Sequence, residues 1–135
     1  MWLYEHNYRQ LRMLMPELFD GADEFRLAAV HNHLLRVRVL EQFPYTSTFD
    51  IVHKLGNVGR LPELRMRVRL YHDARLAEVV AYQDQRRFEP EYEFPNERML
   101  HKDEKRQANR LLHELLRFVA QFGQHRSRQV VSTDA

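Results

Sequence analysis

The chain has 135 residues, enough for one domain with a real core, because folding at that length buries about two-thirds of the surface the unfolded chain exposes. Its 21 Lys+Arg against 19 Asp+Glu leave a formal charge of +2, which argues against a dedicated, strongly basic nucleic-acid binder while leaving room for local basic patches. Zero cysteines exclude a disulfide scaffold, Cys-ligated zinc, iron–sulfur clusters and thiol catalysis. No apolar run is long enough to cross a membrane as a helix. The start, Met1-Trp2-Leu3-Tyr4-Glu5-His6, lacks the basic and apolar regions of a secretory signal, so the expectation is a cytoplasmic protein.

Residues 3–18 read as an amphipathic helix, with Leu3, Tyr4, Tyr8, Leu11, Leu14, Met15 and Leu18 at three- and four-residue spacing. Pro16 should end or kink it near Met15, and Asp20-Gly21 is a turn. From Glu24 the apolar period changes to two. Phe25, Leu27 and Ala29 alternate with other residues, as do Leu35, Val37 and Val39, then Phe49 and Ile51. Leu64, Met66, Val68 and Leu70 alternate with Arg65, Arg67, Arg69 and Tyr71, and a fifth run covers 76–82.

One face of each hairpin must be consistently apolar, and this sets trial registers. A loop centred on Asn32 puts Phe25 opposite Val39, Leu27 opposite Val37 and Ala29 opposite Leu35. A loop centred on Pro44 puts Val39 opposite Phe49 and Val37 opposite Ile51. A turn on Asp73-Ala74 puts Leu70 opposite Ala77, Val68 opposite Val79 and Met66 opposite Ala81. The expected fold is α+β: a five-stranded antiparallel β-meander flanked by an N-terminal helix and a longer C-terminal helix. Residues 88–95 alternate aromatic or proline with glutamate and read as an extended strap. The long helix is expected from about 97 to 122, ended by Gly123. The domain is expected to span 1–123, with 124–135 a polar, disordered tail.

On a wheel of about 100° per residue, Leu100, Leu111, Leu115, Phe118 and Phe122 define an apolar arc on the long helix, widened by Ala108, Leu112 and Val119. Glu104 falls inside that arc and His101 at its edge, while Asn7 falls between Leu3 and Leu11 on the buried side of the first helix. A carboxylate on a core face must be paired, hydrogen-bonded or protonated. Glu104 and His101 could be an acid/base pair or two metal ligands. The plainer alternative takes Asp103 and Glu104 as first-turn acids, with Asn7, His101 and Glu104 in a polar network that docks the helices.

The opposite face of the last hairpin pairs Arg65 with Tyr82, Arg67 with Val80, Arg69 with Glu78 and Tyr71 with Leu76, and strand two adds Arg36 and Arg38. Guanidiniums interleaved with tyrosines could hold phosphate, carboxylate or single-stranded nucleic acid. The plainer alternative is a solvated face with Arg69–Glu78 and Arg38–Asp50 as cross-strand ion pairs. His31-Asn32-His33 has the form of a metal-binding His-x-His but lacks a following Glu, so no metal and no cofactor are expected. No Gly-rich phosphate loop or G-x-S-x-G elbow occurs. A Ser/His/Asp triad could be assembled around Ser47, but nothing selects its partners.

Several blocks carry a resemblance. Glu5-His6-Asn7-Tyr8, Val68-Arg69-Leu70-Tyr71-His72-Asp73-Ala74, Ala77-Glu78-Val79, Tyr92-Glu93-Phe94-Pro95-Asn96 and His101-Lys102-Asp103-Glu104-Lys105-Arg106-Gln107-Ala108-Asn109 together resemble the YqiB-like family, small proteobacterial proteins described as a domain of unknown function. The family brings no activity, cofactor or catalytic residue to carry over. It does place Arg69, Tyr71, His72, Asp73 and Glu78 in its blocks as candidates for ligand or partner binding. Asn7, His101, Asp103, Glu104, Lys105 and Gln107 lie there too, as the candidate polar network. Arg36, Arg38, Arg65 and Arg67 fall outside the blocks, which weakens the nucleic-acid reading.

The expected function is a non-enzymatic cytoplasmic module that binds a small anionic ligand or a protein partner, a second copy of this chain included, through the Arg/Tyr sheet face. The alternatives are a hydrolase-like or metal-dependent enzyme using Glu104/His101 or His72/Asp73, and a weak single-stranded nucleic-acid binder using the strand arginines.

Overall fold

The change of apolar period at Glu24 separates a helical N-terminus from a sheet in the computed structural model, which describes residues 2–28, 33–55, 63–84, 102–122 and 127–131. Helix α1 spans Trp2–Leu14, with Glu5 in its first turn and Arg12 in its last, as the helix dipole favours. Pro16 has no N–H and cannot continue the ladder. The chain therefore breaks at Met15 and restarts as the single turn α2, Pro16–Phe19, with proline at the start. Gly21 then takes φ 108°, a left-handed conformation that glycine adopts without a Cβ penalty.

Five antiparallel strands follow in meander order: β1 (Glu24–Ala28), β2 (His33–Gln42), β3 (Thr46–Leu55), β4 (Glu63–Tyr71) and β5 (Leu76–Asp84). Helix α3 (Lys102–Phe122) comes next, and β6 (Ser127–Val131) returns to pair antiparallel with β1, giving the order β5-β4-β3-β2-β1-β6. Segment 127–131 is thus a sixth strand and not the disordered tail expected of a polar stretch. The unpaired edge of β1 supplies the backbone partners that its composition does not advertise. The predicted strap at 88–95, and the start of the long helix at 97–101, lie outside the described residues.

The registers test the parity argument. Val39 faces Phe49 and Val37 faces Ile51 on β2–β3, and Leu70 faces Ala77 and Val68 faces Val79 on β4–β5, as predicted. The first hairpin differs: Phe25 faces Val37 and Leu27 faces Leu35, two residues away from the predicted pairing. A slip of two leaves every side chain on its own face, so burial cannot resolve it. Met66 faces Tyr82 rather than Ala81, because the ladder shifts between Arg67 and Val68 with Val80 as the extra residue on β5. The same bulge replaces the expected Arg65–Tyr82 and Arg67–Val80 pairs with Arg65–Gln83 and Arg67–Ala81.

Both long helices pack on one face of the sheet. Tyr8, Leu11 and Leu18 from the N-terminal helices and Ala108, Leu112, Leu115, Leu116 and Val119 from α3 join Phe25, Val37, Phe49, Ile51, Val68 and Val79 in one core cluster. The buried stripe of α3 centres roughly 110° round from Leu100. Glu104, expected inside the apolar arc, is therefore exposed. Leu111 and Phe118, which pulled the predicted arc toward Glu104, flank the stripe and are only half-buried.

Candidate functional site

The other face carries the arginines. Asp50, in the middle of β3, lies in register between Arg38 on β2 and Arg67 on β4. It is buried, and its carboxylate accepts a 3.4 Å hydrogen bond from Arg65 Nη2, two residues along β4 from Arg67. Its second oxygen, Oδ1, has no hydrogen-bond partner among the described residues. Glu24 takes Arg26 at 2.9 Å and Arg36 at 3.7 Å. Glu78 takes Lys105 of α3 at 2.9 Å and accepts a 3.4 Å hydrogen bond from the Tyr71 hydroxyl.

These choices of partner overturn the two cross-strand ion pairs expected from the sequence. Arg69 and Glu78 are in register, as are Arg38 and Asp50, yet each carboxylate is turned to another cation. Arg38 and Arg69 stay exposed, with no ion pair among the described residues. Arg67, Arg69, Tyr71, Glu78 and Lys105 line a cleft of about 450 Å³, with Thr48 and Glu41 beside them and Leu40, Val80 and Ala81 supplying apolar wall. That volume is in the range of small-molecule sites, and the lining is more charged than is usual for them.

His72, expected next to this set, belongs to the opposite side. Its ring lies 2.9 Å from the Tyr8 hydroxyl at Nδ1 and 2.7 Å from Ser47 Oγ at Nε2. A neutral imidazole has one donor and one acceptor nitrogen, and a hydroxyl can serve either, so both nitrogens are satisfied. Burial, then the Arg12 charge, lowers the His72 pKa, with Asp73 opposing. Ser47 is buried, and a tyrosine stands where a triad would place its carboxylate. This is a fixed imidazole and not a charge-relay triad. Asp73 is exposed and accepts the Ala74 N–H at 3.0 Å, holding the turn.

The polar contact that docks the helices runs through Asn109. Asn7, fully buried, donates from Nδ2 to the Asn109 carbonyl at 3.0 Å. Asn109 Oδ1 accepts the Val79 N–H of edge strand β5 at 3.1 Å, and its Nδ2 donates to the Lys105 carbonyl at 2.7 Å. Of the residues expected in this network, Glu104 and Gln107 are exposed, Lys105 pairs with Glu78, and His101 and the Asp103 side chain lie outside the described residues. Asn109 stood in the same motif block without being singled out. On the wheel it falls about 180° from Leu100, so periodicity concealed it. For Ser47 the signal was parity, a hydroxyl at an apolar-face position two before Phe49.

The fold and its clefts define an α+β protein: an antiparallel sheet with helices on one face and an arginine-rich opposite face. The chain belongs to the family described as protein of unknown function DUF1249, whose model matches residues 10–125. It is similar to the uncharacterized protein YqiB of Escherichia coli K12, with 36% identity over 123 residues covering 91% of this chain and 87% of the relative. The YqiB proteins of strains O6:H1 and O157:H7 match to the same extent. No solved structure matches significantly. No helix among the described residues is long and apolar enough to cross a membrane.

Proposed function

We propose that the chain is a non-enzymatic cytoplasmic module whose ligand is a small anion held on the Arg/Tyr sheet face. The observation that supports this reading is the pair of arginines left over. Arg38 and Arg69 stand exposed beside carboxylates already committed to Arg65, Lys105 and Tyr71. A guanidinium with a free donor fork beside a mixed-lined cleft is suited to a carboxylate or phosphate. The Glu78–Lys105 pair would set the far edge of the site, and Tyr71 would offer a hydroxyl and a ring face.

Of the residues named for the enzymatic alternative, Glu104 lies exposed and not on the core face, and His101 lies outside the described residues.

The test is calorimetric titration of the protein with a panel of small carboxylates and phosphates. Binding should weaken about tenfold or more in Arg69→Ala, the loss expected for a hydrogen bond to a charged group. Binding that survives Arg69→Ala unchanged would remove the sheet face as the site. Binding of single-stranded RNA with a steep salt dependence would instead favour the strand arginines as a nucleic-acid surface.

A further inference from the structure

A second cleft, of about 640 Å³, opens on the helix-covered side, where the β4–β5 turn meets α1. Arg9 and Arg12 of α1 and Arg75 of the turn line it, with Glu5 the one carboxylate among the described lining residues. All three guanidiniums are exposed and make no ion pair among the described residues. Three guanidiniums against one carboxylate leave a surplus of two positive charges around one concavity. The Arg12 guanidinium lies 5.4 Å from the Phe19 ring centroid, a cation–π contact that restricts its orientation.

One lining side chain is held by hydrogen bonds on both sides. His72 lines the cleft with both ring nitrogens held by Tyr8 and Ser47, and its backbone N–H donates to the Tyr45 carbonyl at 2.8 Å. Arg75 occupies the left-handed region at φ 57°, where a non-glycine residue carries strain. That conformation belongs to the residue bringing the turn's guanidinium to the cleft.

We propose that this cleft is a second anion site, taking the phosphate group of a small metabolite between Arg12 and Arg75, with Arg9 at its mouth. A phosphate dianion matches the surplus of two, and guanidinium forks match its oxygens. Burial, then the Arg12 charge, lowers the His72 pKa, with Asp73 opposing, and the positive field of Arg12 is the part that favours an anion. This proposal is independent of the sheet-face reading, because the two clefts share no lining residue.

The test is an amide-resolved NMR titration with inorganic phosphate and, in parallel, glycerol phosphate, at ionic strength held constant with chloride. Saturable shifts are expected at Ala74 and Arg75, and the tighter-binding probe tells the free ion from the ester. Arg12→Gln and Arg75→Asn should each weaken binding about tenfold or more, and asparagine tolerates the left-handed turn. Arg69→Ala should leave these shifts unchanged, which separates this site from the sheet face. Shifts confined to sheet-face amides, shifts that chloride reproduces, or affinities unchanged in both variants would each overturn the proposal.

Discussion

On the helix-covered face, Phe49, Ile51, Val68 and Leu70 are no more than 1% exposed. One residue away on the same strands, Asp50 is buried among arginines while Arg69 stands in solvent. The two faces share strands, twist and alternation, and differ in what lies on them. Apolar side chains on the first face are sealed by α1, α2 and α3, so burial drives folding there. The second face is organised by a choice among ion pairs, in which largely buried carboxylates hold some cations and leave other arginines in solvent. Stability is therefore expected to respond more to changes in the covered apolar face than to loss of the exposed arginines on the other.

The largest expected effect lies in the core. Leu112→Ala removes a fully buried side chain, and we expect a loss of about 2–5 kcal/mol in urea unfolding. A loss no greater than that of a surface substitution would mean that α3 is not docked on the sheet. The next effect concerns the polar seam between helices and sheet. Asn109→Ala leaves the Val79 N–H without its acceptor, at a cost of about 1–3 kcal/mol. If unfolding detected only a few tenths, the edge of β5 would have water in place of Asn109.

A smaller effect follows from pH. His72 is lowered mainly by burial, then by Arg12, with Asp73 opposing. His113 is lowered by burial, then by His6 and Arg117, with Glu114 opposing. A histidine depressed in the folded state takes up its proton more readily in the unfolded chain. Its contribution to stability is then complete above the unfolded value of about 6.5 and is lost as pH falls through the folded value. Stability should accordingly decline as pH drops below about 6.5, and His72→Gln should make that decline shallower. An unaltered slope in His72→Gln would show that other groups govern the acid limb.

How much of this was legible in the sequence depends on the physics behind each feature. Alternation of apolar residues assigns faces, and it placed Phe25, Val37, Phe49, Ile51 and Val68 on the covered side. It is blind to a two-residue slip, which is why Phe25 meets Val37 and not Val39. The Val80 bulge, which displaced the Met66 pairing, has no composition that marks it. Glu104 was misplaced because Leu111 and Phe118 weigh as heavily in a helical wheel as Leu112 and Leu116, although only the latter pair is fully covered. The candidate binding set was drawn from two neighbouring motif blocks, and the fold sends Arg69, Tyr71 and Glu78 to one cleft and His72 to the other. Arg9, Arg12 and Arg75 gather from two distant segments with no shared motif, so only the fold brings them together.

The smallest expected change in stability sharpens the comparison most. Arg38→Ala and Arg69→Ala remove exposed side chains that hold no ion pair among the described residues, so each should shift unfolding by less than about 0.5 kcal/mol. Arg65→Ala should cost more than either, because it strips the buried Asp50 carboxylate of its 3.4 Å partner. Urea unfolding of the three variants side by side measures that order. If Arg69→Ala proved as costly as Arg65→Ala, Arg69 would be part of the structural ion-pair lattice and unavailable to a ligand. A stable Arg69→Ala that loses anion binding would mean the opposite: the carboxylates of this face are deployed to hold other cations, and that deployment is what leaves Arg69 free to bind.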